Sequence, residues 1–370
     1  LLIGSGLAES IKMNIPGENL VEDGIEFLSN LQEANSFHDD ENNKKIEKIE
    51  GDVGVIGGGN TAIDVARSLI RSGAVPVILY RRRKEDMPAF AHEIEMAEKE
   101  GIKILELMSP VSVKEENNRL KIEMQMMKIG PVADDGRTSV VSDGDLKQTF
   151  TFEKIYSGIG QKVKDSWSVP DGNIENVINF DHCSFVEEEI PVIFGGDIVN
   201  PVKSVTDAVA SGKQAAIAID TYFKQGTAKI KDAIDSSRAG QGTGPVSMEL
   251  YTGGERQQRN SHVVSKDDIN LDYFQVVARE YPGSLPAEQS KNTFNEIDKT
   301  LKHDQAMKEA KRCFNCGFCN ECDNCRIFCP EVSIRIENDT RKINLDYCKG
   351  CGVCTVECPR SAMIMEEETI

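Results

Sequence analysis

The sequence predicts an α/β protein that ends in a small α+β module. Three observations carry this. Residues 51–80 read as strand, glycine turn, helix and strand; two later apolar strands close on glycine; and a cysteine-rich stretch follows residue 312. A strand–turn–helix–strand unit of about thirty residues is the start of a parallel sheet.

Taken in order, Leu1-Leu2-Ile3 reads as a buried strand running into Gly4-Ser5-Gly6. A domain seldom begins on its own core strand, so further chain upstream is expected. The other reading is a natural edge strand after loss of Met, which is rarely removed ahead of Leu. Ile15-Pro16-Gly17 and an amphipathic stretch around Gly24–Leu31 follow. The mixed-charge run from Asp39 to Lys48 is a solvated loop or helix face. Asp52–Ile56 is a strand, Gly57–Gly59 its turn, and Asn60–Ser72 a helix with Ile63, Ala66, Leu69 and Ile70 on one face. Gly73 ends that helix before the strand Val75–Tyr80. The helix Phe90–Glu100 and the strand Ile102–Leu105 come next. Short alternating runs between Ser109 and Phe152 predict an inserted antiparallel meander, broken at Asn117-Asn118, Asp134-Asp135-Gly136 and Asp143-Gly144. Strands at Lys154–Ile159 and Pro191–Phe194 then close on Gly160 and Gly195, and a helix runs from Ser204 to about Tyr222. Residues 225–300 are polar and glycine-punctuated and read as a connector. A helix near Thr300–Arg312 delivers the chain to the cysteines.

The run Cys-x2-Cys-x2-Cys-x3-Cys-Pro occurs twice, as Cys319, Cys322, Cys325, Cys329-Pro330 and as Cys348, Cys351, Cys354, Cys358-Pro359. Thiolates three residues apart on a tight loop each reach one iron of the same cube. The Cys-Pro step turns the chain away, so its thiolate meets the opposite cube. One [4Fe–4S] cluster is therefore expected on Cys319, Cys322, Cys325 and Cys358, and the other on Cys348, Cys351, Cys354 and Cys329. Structural zinc and disulfides are the rivals, and neither needs the third Cys or the proline. Cys313 and Cys316 fall outside both sets and read as structural thiols, with a further metal site or alternative ligation as the other readings. Cys183, alone beside His182, reads as a buried thiol.

Ten of the 11 cysteines lie between 313 and 358, which describes one cofactor module and not a disulfide framework. Clusters and free thiolates imply a reducing, cytoplasmic setting. Lys+Arg number 43 against Asp+Glu 61, a formal net charge of −18. That argues against nucleic acid or an anionic membrane as a partner, and suits either a basic patch on a redox partner or plain solubility. No signal peptide and no bilayer-length apolar run is present. The 370 residues have room for two or three domains.

Gly57-Gly58-Gly59-Asn60-Thr61-Ala62 fits G-x-G-x-x-A between a predicted strand and helix. Gly57 allows the tight turn, Gly59 lets a pyrophosphate approach the backbone, and Ala62 lets helix and strand pack closely; Asn60 and Thr61 open the helix. The diphosphate is expected at that positive helix end. An NAD site would carry a carboxylate at the end of the next strand for the ribose 2′-OH. Here Tyr80-Arg81-Arg82-Arg83-Lys84 stands instead. The forks of Arg81 and Arg82 suit a 2′-phosphate, hence NADP(H), against a solvated basic turn as the alternative. Gly196 and Asp197 form a turn that can set a carboxylate on a ribityl hydroxyl. Ser204, Val205 and Thr206, with Asp207 completing a capping box, would present a helix N-terminus to the N1/O2 edge of a reduced flavin; an ordinary turn and cap is the other reading.

Five groups stand in a specific order: Ile3-Gly4 with Ile15-Pro16-Gly17, Gly57–Ala62 with Ile63-Asp64, Tyr80-Arg81-Arg82 with Met87-Pro88-Ala89, Gly158–Gln161, and Gly195–Asp197 with Ala208 through Ala216. In that combination residues 1 to about 225 resemble the flavin- and NADPH-binding region of the glutamate synthase small subunit. That region is similar to part of dihydropyrimidine dehydrogenase, within the pyridine nucleotide-disulfide oxidoreductase superfamily. Residues 306–370 resemble a ferredoxin domain of the kind fused to such flavoproteins in anaerobic electron-transfer subunits.

The resemblance implies two Rossmann-like dinucleotide-binding domains, the NAD(P) domain inserted in the FAD domain. It divides the chain into a partial FAD-binding domain and connector at 1–48, an NAD(P)H-binding domain at 49–157 and a second FAD segment at 158–225. A connector at 226–305 and a ferredoxin-like domain at 306–370 complete it. Asp197 and the helix after Ser204 would then lie on FAD. The family's first Gly-rich FAD fingerprint is expected upstream of Leu1. Glutamate synthase small subunits carry cysteines ahead of the flavin region whereas here they follow it, so glutamate synthesis is not carried over. Disulfide reductases would need a Cys pair beside the flavin segments, and the sequence has none there.

The expected function is that of an NADPH-dependent oxidoreductase. Hydride would pass from NADPH to FAD, and single electrons through both clusters to a partner ferredoxin or enzyme subunit. A glutamate synthase subunit serving a glutamine-hydrolysing large subunit and a non-catalytic electron-wiring subunit are the alternatives. Hydride transfer needs no acid–base pair, so no catalytic residue is expected.

Overall fold

The computed structural model describes residues 1–36, 48–132, 138–164, 176–239, 244–254 and 263–366. Most of the mixed-charge run, the turn expected at Asp134-Asp135-Gly136 and the glycines at 240 and 242 lie outside them. The chain divides into two compact units: residues 7–165 with 282–300, and residues 1–6 with 166–281 and 301–370.

The first unit is built on a five-stranded parallel sheet in the order Glu22–Asp23, Lys154–Ser157, Asp52–Ile56, Val75–Leu79, Lys103–Leu105. Val53, Val55, Ile78 and Ile155 are wholly buried, as strands covered on both faces must be. Helices α1 (Gly24–Ser36), α2 (Asn60–Arg71) and α3 (Ala91–Lys99) belong to this unit. In α2, Ala62, Ile63, Val65, Ala66 and Leu69 recur at helical spacing and are all fully buried, in one core with Val53, Val55 and Ile78. Glu22–Asp23 and α1, expected with the 1–48 connector, are part of this unit; Glu22–Asp23 forms its sheet edge and Phe27 and Leu28 pack on its core.

An antiparallel sheet of Met108–Glu116, Arg119–Val132 and Thr138–Phe152 supplies a second core, where Ile122, Met124 and Phe152 meet Ile56, Leu79 and Ile155. Its first hairpin turns at Asn117 and Asn118, both left-handed (φ 54° and 58°), as a two-residue hairpin turn requires. The break expected at Asp143-Gly144 is corrected: the strand continues through it. The register slips opposite Gln125–Met127, and Gly144 (φ 56°) forms a bulge whose carbonyl accepts from Gln125 Nε2 at 3.1 Å.

A buried carboxylate ties the helical layer together. The Glu100 side chain is 0% exposed and accepts from Arg67 (Nε, 3.0 Å), Arg71 (Nη2, 2.6 Å) and Ser290 (Oγ, 2.9 Å). Arg71 Nε also donates to the Thr293 carbonyl at 3.1 Å. Burial alone would raise the Glu100 pKa, but the guanidinium hydrogen bonds hold it below the usual glutamate range.

The second unit has a four-stranded sheet in which Leu2–Ile3 runs parallel to Val192–Gly195, followed antiparallel by Cys183–Val186 and Val177–Asn179. Helix α4 (Val205–Gln225) buries Ala215, Ile217 and Ala218 against Phe185 and Ile193. The cysteine module adds a hairpin, Ile334–Glu337 with Thr340–Ile343, and two single-turn helices, Asn324–Ile327 and Val353–Val356. The stretch 225–300, expected as a loose connector, is divided in use. Ile230, Ile234 and Val246 enter the core under α4, and Ser290 and Thr293 are pinned to the first unit by Glu100 and Arg71. Among the described residues no helix is long and apolar enough to cross a membrane.

Glu100→Gln should destabilise the first unit by about 3–5 kcal/mol, because it removes the carboxylate that pairs with the buried Arg71 and leaves Arg67 with Glu93 alone. Denaturant unfolding reads this, and an unchanged midpoint would refute the role. The wild-type contribution is fully present above the ordinary glutamate value of about 4.3 and is lost as pH falls through the depressed folded value.

Candidate cofactor sites

In the first unit the strand order reverses between Asp52–Ile56 and Lys154–Ser157, and the carboxyl ends of those two strands lead into Gly57 and Gly158. Ligands of open α/β sheets bind outside such a switch point. Gly57 has φ 142°, and a Cβ there would drive into the Gly158 carbonyl and lie 3.0 Å from the Ala62 methyl. Gly58, the variable position of the motif, is equally constrained, because a Cβ would enter the Tyr80 ring. At Gly59 a Cβ would meet nothing within 4 Å, and no side chain caps α2 there. The first N–H groups of the helix are thus left for an anion. Asn60 Oδ1 accepts from Phe90 N at 2.9 Å, and Ala89 N donates to the Gly58 carbonyl, closing the 87–90 loop over the turn.

The basic run beyond Val75–Leu79 splits in two. Arg83 is held by Asp86 at 2.8 Å, by Glu85 and by Thr138, and Lys84 by Glu98 at 2.9 Å. Arg81 is exposed and has no ionic or hydrogen-bonding partner among the described residues. Arg82 has its Nε buried with none. A buried guanidinium nitrogen without a hydrogen-bond partner, just past the strand that follows an uncapped glycine turn, fits a phosphate.

In the second unit the strand Val192–Gly195 ends on Gly196 (φ 67°), whose N–H donates to Ser211 Oγ at 2.7 Å. Asn200, only 2% exposed, donates to the Gly196 carbonyl at 3.0 Å and has its Oδ1 3.1 Å from His182 Nδ1. Gln214 accepts from the His182 backbone N–H at 3.0 Å. Ser204 caps α4, accepting from Asp207 N at 3.1 Å, while Val205 and Thr206 in the first turn are exposed. The Asp197 carboxylate has no partner among the described residues, and the space beside Gly196 is open. A free carboxylate, an open glycine and an exposed helix N-terminus fit the polar groups of a flavin cofactor. Ser211, Asn200 and Gln214, which shape this turn, escape a sequence reading because each is an unremarkable polar residue until α4 is laid on the strand.

The thiols sort into the two expected sets. The thiols close enough to act electrostatically on Cys325 include Cys319, Cys358 and Cys322; those acting on Cys354 include Cys348, Cys351 and Cys329. The fourth thiol of each set thus comes from the other run. Among the described residues no three ligand-type side chains converge on one point as a single ion would demand. A cube with each thiolate on its own iron does not ask for that. Backbone N–H groups of Glu321, Gly350, Ser333 and Ala362 donate to Cys319, Cys348, Cys329 and Cys358 at 3.2–3.4 Å, and Arg360 Nε is buried without a partner two residues beyond Cys358. Donors aimed at sulfur fit an anionic iron–sulfur centre. Arg341, missed in the sequence, clamps the first loop by donating to Asp323 at 2.8 Å and to the Glu321 carbonyl at 3.1 Å. Burial pushes the Cys183 thiol up to about 12, with Asp181 adding to it, so that thiol is inert.

Residues 1–212 match a family model described as pyridine nucleotide-disulphide oxidoreductase, and residues 341–364 match a 4Fe-4S binding domain. Over 272 residues the chain is 32% identical to the NADP(+)-dependent formate dehydrogenase subunit beta of Moorella thermoacetica, covering 70% of this chain and 37% of that protein. It is 26% identical over 235 residues to the glutamate synthase [NADPH] small chain of Azospirillum brasilense (60% and 48%). It is 25% identical over 351 residues to the NADPH-Fe(3+) oxidoreductase subunit beta of Geobacter sulfurreducens (85% and 48%). The chain spans less than half the length of each of these three relatives. The glycine turn, the α/β sheets and the matched 212 residues together show that the chain belongs to the pyridine nucleotide-disulphide oxidoreductase family of NAD(P)H- and FAD-dependent oxidoreductases, here joined to a 4Fe-4S binding domain.

Proposed function

We propose that the chain is an electron-transfer subunit that couples two-electron oxidation of NADPH to one-electron transfer at two [4Fe–4S] centres, serving a partner redox protein. One observation supports the reading: a single chain carries an uncapped glycine turn followed by two arginines that have no hydrogen-bond partner among the described residues, and two groups of four neighbouring thiols. Arg81 and Arg82 would hold the 2′-phosphate; Gly57, Gly59 and the first N–H groups of α2 would take the diphosphate. Asp197 and the exposed turn Val205–Thr206 would orient a flavin, with Ser204, Ser211 and Asn200 holding that surface in place. When bound, the flavin supplies the exchange between paired and single electrons that a nicotinamide does not make. Cys319, Cys322, Cys325 and Cys358 would hold one cluster and Cys348, Cys351, Cys354 and Cys329 the other.

Two of the three relatives are named as beta subunits, which supports a partner chain as the electron acceptor or donor. The net charge of −18 suits a basic docking face on that partner. Thiolate ligands require a reducing compartment, and the cytoplasm is the proposed location.

Anaerobic mixing with NADPH should bleach both the flavin band and the broad iron–sulfur absorption; a spectrum unmoved by NADPH sinks the proposal. Replacing Arg81 or Arg82 by Ala should raise the KM for NADPH about 10- to 100-fold, the worth of one charge-assisted hydrogen bond of about 1.5–3 kcal/mol, and leave NADH unchanged. Equal losses with both nucleotides would reject the 2′-phosphate assignment. Gly57→Ala should weaken both nucleotides alike, since its added methyl distorts the turn beneath the diphosphate. Steady-state kinetics separates the two patterns.

A further inference from the structure

Two turns of the C-terminal module share one backbone conformation. In Cys329–Ser333 the Val332 N–H donates to the Cys329 carbonyl at 3.2 Å, Val332 is left-handed at φ 53°, and the Ser333 N–H donates to Cys329 Sγ at 3.4 Å. In Cys358–Ala362 the Ser361 N–H donates to the Cys358 carbonyl at 3.3 Å, Ser361 stands at φ 51°, and the Ala362 N–H donates to Cys358 Sγ at 3.2 Å. A β-branched valine takes this backbone only where the surroundings hold it there. The shared geometry aims one N–H at the sulfur of each Cys-Pro step.

The turns differ in the side chain of their last residue. Ser333 is 3% exposed, and its Oγ lies 3.3 Å from Cys329 Sγ. Its carbonyl accepts from Asn344 N at 2.8 Å and the strand Ile334–Glu337 begins at the next residue, so its backbone is fixed on both sides. Ala362, at the matching position, has no hydroxyl. A sulfur bound to iron carries no proton, so between these two atoms the Ser333 hydroxyl is the donor. Cys329 thus receives an N–H and an O–H from Ser333, whereas Cys358 receives only an N–H from Ala362.

We propose that the Ser333 hydroxyl, acting through Cys329 Sγ, raises the reduction potential of the centre held by Cys348, Cys351, Cys354 and Cys329. The inference rests on the cluster assignment in the proposed function and deepens it by naming a residue that makes the two centres unequal. One-electron reduction, whether by NADPH through the flavin or by a chemical reductant, adds one negative charge shared with the ligand sulfurs and moves no proton. A hydrogen bond donated to such a sulfur strengthens as that charge arrives, so it favours the reduced state. Ser333 is a positioning residue in this role, since it touches the ligand and not the iron.

The test is a dithionite titration of the anaerobically purified full chain, followed by electron paramagnetic resonance, beside Ser333→Ala and Ala362→Ser. In Ser333→Ala the reduction equilibrium of one centre should fall about three- to tenfold, about 28–59 mV for a one-electron couple, while the other holds its wild-type value. Ala362→Ser should raise, by a similar factor, the centre that Ser333→Ala leaves alone. A merely structural role does not give opposite shifts at different centres. Unmoved potentials in Ser333→Ala with full iron and sulfide, or both variants acting on the same centre, would overturn the proposal and leave the cluster assignment standing. Should Ser333→Ala lose its clusters, Ala362→Ser decides, and no upward shift there refutes the role. Absence of two clusters from the wild type would overturn the assignment and the proposal together.

Discussion

The first unit depends on a contact between two glycines. Gly57 and Gly158 end neighbouring parallel strands, and Ala62 of α2 packs into the angle between them. No side chain fits there, so helix and sheet approach closely enough for the free N–H groups of α2 to face the space beyond the strand ends. The open helix end is a consequence of this packing. It is not a separate device added to the fold, because the geometry that buries Ile63 and Leu69 also aims the helix end.

Periodic features were legible in the sequence. The apolar strand Asp52–Ile56 and the helical spacing of Ile63, Ala66 and Leu69 each record a local geometry, and the structure follows them. Features made by distant segments were not. Nothing near Glu100 in the sequence announces that Arg67, Arg71 and Ser290 converge on it, and that convergence is why part of a polar stretch is firmly placed. Asp143-Gly144 reads as a turn because both residues favour left-handed backbone. The long pairing with Arg119–Val132 absorbs that preference as a bulge.

The same division holds at the cofactor sites. Arg81 to Lys84 form one basic run in the sequence, yet Asp86, Glu85 and Glu98 form ion pairs with Arg83 and Lys84 and leave the first two arginines without a hydrogen-bonded counter-charge among the described residues. The cap at Ser204 was visible from Asp207 three residues on, whereas Asn200, which braces Gly196, carries no local signature.

Each four-thiol set borrows its last member from the other run, and this interlock sets how the module must assemble. With clusters held as proposed, neither set would close until both loops were in place, and displacement of either loop would take a thiol from each set.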